Sequence, residues 1–252
     1  MGSWLQAIWP PLLTFVLVIG LWEVAVRGLG IPIYLLPAPS QILATFLERP
    51  GYLLRIGLAT FSNALAGCAI GCTLGTLVAA LCVRWRIVAD GLLPLAVAAS
   101  AVPIIALAPL MGIWLGSISP ASKIAVVAVM TLFPTLVSVY RGLISPRPEA
   151  LTLLRSYAAP ERVVFLKLRA PAALPFFFGA LRICTTLSMI GALVAEFFGG
   201  PQNALGVYIK TQAGILRTRE AWSAIIVACL LGLAFYLAVA LAERAAMPWK
   251  RA

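Results

Sequence analysis

The chain has 252 residues, of which 62% are hydrophobic and only 11% are charged, against about 25% charged residues in an average soluble domain. A soluble domain of this length cannot hide so much apolar side chain, because much of its surface must face water. The five cysteines lie in apolar stretches and there is no histidine, so neither a disulfide framework nor a zinc site is expected. Composition therefore predicts an all-α polytopic membrane protein.

The formal net charge of +11 fits that interpretation. Many basic proteins bind nucleic acid, but no basic run with interleaved aromatic residues is present, so we expect no nucleic-acid partner. In so apolar a chain, the excess of Lys and Arg is typical of loops that flank membrane spans.

Runs of uncharged residues predict six transmembrane helices, since a helix needs about 20 apolar residues to cross ~30 Å of hydrocarbon. No Lys or Arg precedes the first run, at about residues 8–27, so the basic region of a cleavable signal is missing and we expect this span to be retained. A proline-rich loop and a short amphipathic helix capped at Ser40 follow. A five-helix core then covers about residues 56–242, with spans predicted at 56–83, 91–122, 124–140, 170–195 and 221–242. We expect residues 1–252 to form a single transmembrane domain.

The run at 91–122 is too long for one straight crossing, because a helix of that length would extend ~48 Å. Proline in a helix interior removes a backbone hydrogen bond, and lipid supplies no replacement partner. Pro103 and Pro109 therefore predict a bent or split helix that faces the protein interior.

Small residues recur in the span at 56–83. Gly67, Gly71 and Gly75 are spaced four residues apart, a pattern that lets two helix backbones approach closely. We interpret this pattern as helix packing.

The distribution of Lys and Arg predicts the orientation. With a cytoplasmic N-terminus, 11 of the 19 basic residues lie in inner loops and termini, 7 lie outside, and Arg182 lies within a span. The bias places both termini in the cytoplasm.

The loop at about residues 141–169 is the largest polar segment. Pro148 suits the first turn of a helix, and Glu149 places negative charge near the positive end of the helix dipole. The helix could lie on lipid headgroups, or it could dock onto a cytoplasmic partner.

The span at 170–195 contains or adjoins the two charged residues with the greatest energetic cost. Arg182 and Glu196 lie within about 40° of each other on one helical face, but they are separated by ~21 Å and cannot pair. We expect Thr185, Thr186 and Met189 to lie on the same side of the helix. Such residues usually face a watery path, although each could instead reach toward an interface. The candidate residues of a translocation path are Pro103, Thr131, Thr135, Ser138, Arg182, Thr185, Thr186, Met189 and Glu196.

Motifs for enzymatic chemistry are missing. The sequence contains no GxxxxGK[ST] phosphate loop, no GxSxG and no HExxH, so we expect neither a nucleotide site nor a catalytic centre on this chain.

Several segments together resemble one family. Glu149-Ala150, then residues 154–160 ("LRSYAAP") and 171–175 ("PAALP"), resemble the cytoplasmic EAA loop of permease subunits of binding-protein-dependent ABC importers. Residues 35–40 ("LLPAPS"), 103–109 ("PIIALAP") and 191–200 ("GALVAEFFGG") are similar to other segments of the same family. The resemblance extends over about residues 10–240.

The resemblance implies a permease like those of type I ABC importers, in the bacterial inner membrane. Two six-span subunits would pair, either as identical copies or as paralogues, and each would dock a coupling helix onto a cytoplasmic ATPase dimer. An extracytoplasmic solute-binding protein would deliver the solute, and Mg-ATP would be bound by the ATPase, with no cofactor on this chain. The coupling residues carried over by the motif are Glu149, Ala150, Leu154, Ser156, Tyr157, Ala158 and Pro160.

The chain departs from the family pattern at three positions. Ala158 and Ala204 stand where glycine is usual, and Leu151 occupies the third position of the EAA triplet. We expect docking to be preserved, because alanine still permits a tight contact.

The resemblance identifies the class of transporter more closely than it identifies the substrate. The chain is similar to the branch that handles nitrate, sulfonates, taurine and heterocyclic vitamin precursors, and residues 186–200 look most like permeases for riboflavin or hydroxymethylpyrimidine. A sulfonate, taurine or nitrate remains an alternative, since Arg182 could bind an anion. A stand-alone secondary transporter or channel is the alternative from another class, but neither an inverted repeat nor mid-membrane carboxylates for ion coupling are visible.

Overall fold

The computed structural model describes the backbone of residues 2–248 and the side chains of residues 9–99, 101–103 and 105–248. This part of the chain is helical throughout, without strands. Its elements are α1 (Gly2–Gly28), α2 (Pro39–Glu48), α3 (Pro50–Arg84), α4 (Arg86–Ser100), α5 (Ile104–Leu115), α6 (Pro120–Ile144), α7 (Pro148–Ser156), α8 (Glu161–Val164), a π-helical turn (Phe165–Arg169), α9 (Ala170–Phe198), α10 (Leu205–Gly214) and α11 (Thr218–Ala246).

Five helical stretches in the described range are long and apolar enough to cross a membrane. They are Trp9–Gly28, Pro50–Arg84, Pro120–Ile144, Glu161–Phe198 and Thr218–Ala246. These stretches correspond to five of the six predicted spans, and the remaining predicted span, 91–122, is divided between α4 and α5.

The division occurs where proline predicts it. Helix α4 ends at Ser100, and Pro103 is the N-cap residue of α5. Helix α5 continues through Pro109 without a break. Pro103 is exposed on the surface of the protomer, whereas Pro109 is half-buried and lines a cavity beside α6 and α9. Within the protomer, the interior-facing part of the split helix is therefore the part around Pro109.

The helices extend beyond the predicted ends because charged residues do not terminate them. Helix α6 begins at Pro120, and the ammonium group of Lys123 is buried in its first turn, where it donates to the carbonyl oxygen of Ser117 and, at 3.2 Å, to Ser122 Oγ. With its donors satisfied within the fold, the charge is compatible with a helix interior.

The predicted cap of α2 at Ser40 is also wrong. The N-cap residue is Ala38, whose N–H donates to Gln41 Oε1 at 3.1 Å. Ser40 turns instead toward α1, where its hydroxyl donates to Glu23 Oε1 at 2.7 Å. A capping pattern is local in sequence, whereas Glu23 lies 17 residues away in the preceding helix.

Helices α3 and α6 pack in parallel through the glycine stripe. A Cβ atom built on Gly67 would lie 2.5 Å from Val127 Cβ, and one on Gly75 would lie 2.6 Å from the Leu132 carbonyl oxygen. A Cβ on Gly71, between them, would overlap Thr131 Oγ1. The interpretation of the stripe as helix packing is confirmed.

Helix α9 runs antiparallel to α6. Gly142, near the end of α6, contacts Ala173 near the start of α9, whereas Gly191 contacts Met130. Helix α11 in turn runs antiparallel to α9. Helices α3, α6 and α11 therefore end on one side of the molecule, which we call the α7 end, and α2 and α10 lie at the opposite side, the α10 end. Between α3 and α6 the chain returns from the α7 end to the α10 end through α4 and α5.

Candidate functional site

Helix α7 projects from the bundle. Pro148 and Glu149 occupy its first turn, as predicted, and none of its residues is buried. Tyr157, directly after the helix, is 77% exposed. A helix whose two sides are both accessible in the protomer has room for a partner.

The predicted coupling residues lie together on and after this helix. Ala150 and Leu154 are half-buried on its inner side, and the exposed members of the set are Glu149, Ser156, Tyr157, Ala158 and Pro160.

The end of α7 explains the unusual alanine. The N–H of Ala158 donates to the Arg155 carbonyl at 2.9 Å and that of Ala159 to the Leu154 carbonyl at 3.1 Å, which is the pair of bonds of a Schellman motif. Ala158 has a φ of 50°, the left-handed conformation that glycine adopts without a steric cost. The position where the resemblance expects glycine is therefore one that favours it physically.

A π-helical turn at Phe165–Arg169 connects α8 to α9. Its last residue, Arg169, donates from Nη1 to the Leu143 carbonyl oxygen at 3.1 Å, near the end of α6. The turn joins the exposed segment to the bundle and was not predicted, because a π-helix has no distinctive residue pattern.

The hydroxyl groups of α6 lie in helix contacts. Thr131 and Thr135 are fully buried and donate to carbonyl oxygens one turn back, Thr131 to Val127 at 2.9 Å and Thr135 to Thr131 at 2.8 Å. Ser138 donates to the Phe176 carbonyl of α9 at 2.9 Å. In this conformation all three groups are satisfied by protein.

The polar residues of α9 do not share one face. Thr185 and Met189 are buried, and Thr185 donates to the Arg182 carbonyl at 2.7 Å. Thr186 is exposed, since one residue along a helix turns the side chain by about 100°. The expectation that Thr186 lies on the side of Thr185 and Met189 is therefore wrong.

Arg182 forms an ion pair with Glu243 of α11. The pair links α9 to α11 near the α7 end of the bundle. From the sequence, only Glu196 on the same helix could be assessed as a partner of Arg182. Glu243 lies on another helix, and only the tertiary fold brings it close.

Glu196 lies toward the other end of α9 and is 1% exposed. Its Oε2 accepts hydrogen bonds from Thr60 Oγ1 of α3 at 3.0 Å and from the N–H of Gly206 of α10 at 2.8 Å. Sequence analysis missed Thr60 and Gly206 as partners, and nothing in the sequence links positions so far apart.

Two cavities lie beside α6. One, of about 220 Å³, is open to one side and lies between α5, α6 and the end of α9, and Pro109, Lys123 and Phe198 contribute to its lining. The other, of about 310 Å³, is an apolar groove whose lining includes Val102 and Phe133. Among the described residues, no cluster of acidic or cysteine side chains could hold a metal ion.

Residues 71–249 match the sequence profile of a family described as the binding-protein-dependent transport system inner membrane component. The chain belongs to this family. It is thus a permease component of an ABC transport system, and its exposed α7 and buried polar residues are parts of a transport protein.

Three relatives of this permease are informative. Formylaminopyrimidine transport permease protein ThiX of Halalkalibacterium halodurans is 33% identical over 96% of both chains. Riboflavin transport system permease protein RibX of Chloroflexus aurantiacus is 29% identical over 96% of this chain and 91% of its own. Putative aliphatic sulfonates transport permease protein SsuC of Bacillus subtilis is 25% identical over 98% of this chain and 88% of its own.

Proposed function

We propose that this permease forms the translocation pore for a flat heterocyclic vitamin or precursor, such as formylaminopyrimidine, hydroxymethylpyrimidine or riboflavin. The observation that carries the proposal is the higher identity to ThiX and RibX than to SsuC, over nearly the full length of each chain. A binding protein outside the membrane would select the solute and deliver it to the α10 end.

In the proposed topology residues 1–252 form one domain with six crossings, the third of them made by α4 and α5 together. At 15 and 12 residues, these helices extend about 22 and 18 Å, so neither alone spans the ~30 Å of hydrocarbon. The direction of α3 and α6 supports a single crossing by the pair, because the chain must return from the α7 end to the α10 end between them. The excess of basic residues at the α7 end supports cytoplasmic termini.

The partners follow from the exposed surfaces. Helix α7 would dock onto a cytoplasmic ATPase dimer that binds Mg-ATP, and this chain itself would bind no cofactor. A second, identical copy would cover the apolar face of α4 and α5, where Leu95, Ile105 and Ile113 are all more than 60% exposed. A face of that kind suits a partner helix or lipid.

A double substitution by lysine tests the docking of α7. Changing Glu149 and Tyr157 to Lys should remove the ATPase from the purified complex, because it places one cation on the exposed helix and a second directly after it. The matched control changes Glu48 and Tyr34 to Lys. These are an acid and a tyrosine exposed at or near α2, and their change should leave the ATPase bound to the permease. Retention of the ATPase and of coupled transport by the first variant would show that α7 is not the docking element.

Proteoliposomes that contain the permease, the ATPase and the binding protein test the substrate. We expect ATP-dependent uptake of formylaminopyrimidine or riboflavin and no uptake of taurine. Uptake without the ATPase would instead identify a stand-alone transporter.

Uptake of a sulfonate would favour the alternative substrate. The similarity to SsuC supports that alternative, but the charge of Arg182 is already partnered by Glu243. The residue that could have bound an anion is therefore less available to a solute than the sequence alone suggests.

A further inference from the structure

Helix α10 begins without a cap of its own. The first N–H groups of any helix have no partner within it, and the N-cap residue of α10 is Ala204, whose side chain carries no acceptor. The N–H groups of Leu205 and Gly206 are nevertheless bonded. Leu205 donates to Thr60 Oγ1 at 3.0 Å, and Gly206 donates to Glu196 Oε2 at 2.8 Å.

The cap is thus supplied by two other helices. Thr60 in α3 accepts from Leu205 and donates to Glu196 Oε2 at 3.0 Å, so one hydroxyl connects α3, α9 and α10. The side chains of Thr60 and Glu196 are both at most 1% exposed. A carboxylate at this place is also favoured by the positive end of the α10 dipole.

The local backbone is shaped to admit the carboxylate. A Cβ atom on Gly206 would lie 2.8 Å from Glu196 Cβ and 3.0 Å from its Oε2, so any larger residue would push the acid away. The other oxygen of the acid, Oε1, has no hydrogen-bond partner among the described residues.

We propose that Glu196 is a positioning residue for transport, which fixes α10 to α9 and α3 by capping the N-terminus of α10. The proposal rests on the proposed function in one respect, the placement of α10 on the outer face where the solute arrives. Among the described residues, Lys210 Nζ of α10 also donates to the Phe197 carbonyl at 2.7 Å, and the ring of Tyr208 packs edge-on against that of Tyr52 in α3. Loss of the Glu196 carboxylate would leave the buried N–H of Gly206 unsatisfied and remove an acceptor of the Thr60 hydroxyl, which would let α10 detach.

Cysteine labelling measures the attachment without any solute or partner protein activity. Ile209 is on the buried side of α10 and Thr211 on its exposed side. In the full complex, a membrane-impermeant maleimide should label Ile209→Cys slowly, and addition of Glu196→Ala should raise the rate about tenfold, as expected for lost buried hydrogen bonds. Glu196→Gln, which keeps an acceptor oxygen, should restore slow labelling, and Thr60→Val should accelerate it.

Controls separate this effect from general unfolding. Thr211→Cys should be labelled at the same rate with and without Glu196→Ala, and Glu48→Ala, at an exposed acid of α2, should not affect Ile209→Cys. The parent chain with its five native cysteines gives the background. Unchanged labelling of Ile209→Cys after Glu196→Ala overturns the proposal.

Transport supplies the second readout. Titration with binding protein loaded with formylaminopyrimidine should show a half-saturating concentration about tenfold higher in Glu196→Ala, with an unchanged maximum rate, because α7 lies at the other end of the bundle. A lower maximum rate at unchanged half-saturation, or a Gln variant as impaired as the Ala variant, would contradict positioning and favour a direct role on the path. A parent complex that transports neither formylaminopyrimidine nor hydroxymethylpyrimidine nor riboflavin contradicts the proposed substrate class, and the labelling still decides the attachment of α10.

Discussion

At the scale of single residues, Ala158 departs from the family pattern at a position whose backbone conformation favours glycine. The resemblance flagged alanine at a position where glycine is usual, and the structure gives that position a φ of 50°. What the sequence could not give is the conformation itself, because a Schellman motif is recognised by two hydrogen bonds after α7 and not by residue types alone.

We expect Ala158→Gly to stabilise the turn after α7 by about 1 kcal/mol, because the left-handed conformation costs alanine ~1–2 kcal/mol and part of the gain is lost to the flexibility of glycine. Hydrogen exchange of the Ala159 amide should slow roughly fivefold. Ala159→Gly is the matched control, since Ala159 does not have a positive φ, and should accelerate exchange. Faster exchange in Ala158→Gly would show that the left-handed conformation of Ala158 does not strain the turn.

At the scale of helices, the uncharged runs located five long helices but made several of them too short, with starts predicted too late and ends too early. The clearest case is the start of α6, where Lys123 seemed to mark a loop. Its ammonium is satisfied by the Ser117 carbonyl and Ser122 Oγ, and such local partners cannot be inferred from hydropathy. The proline break at Pro103 and the packing role of the glycine stripe were predictable because each follows from a local steric rule.

Gly71→Ala should separate α3 from α6, because the added Cβ would overlap Thr131 Oγ1. We expect a loss of about 1–3 kcal/mol in the free energy of unfolding, measured by denaturation in mixed micelles with increasing dodecyl sulfate. Gly179→Ala is the matched control in α9, where an added Cβ meets nothing within 4 Å, and should not lower stability. Equal stability of the two variants would show that the α3–α6 contact tolerates a wider spacing.

At the scale of the whole molecule, the exposed helix α7 and the capped helix α10 lie at opposite ends of one bundle. Helix α9 has 29 residues and a length of ~43 Å, so the segment before it and the segment after it are farther apart than the thickness of the hydrocarbon. The exposed α7 precedes α9, and α10 with its cap from Glu196 follows it. This separation depends on the packing directions of α3, α6, α9 and α11, which the sequence left open apart from the basic-residue count.

Ser156→Cys and Thr211→Cys report on these two ends, because both side chains are exposed. An impermeant maleimide should label Thr211→Cys in intact cells and Ser156→Cys only in inside-out vesicles. The chain without an introduced cysteine is the background, and detergent-solubilised protein should label at both positions. Labelling of Ser156→Cys in intact cells would place α7 outside the cell, where no ATPase can reach it. That result would remove the proposed coupling and the proposed orientation together, while leaving the bundle geometry as it stands.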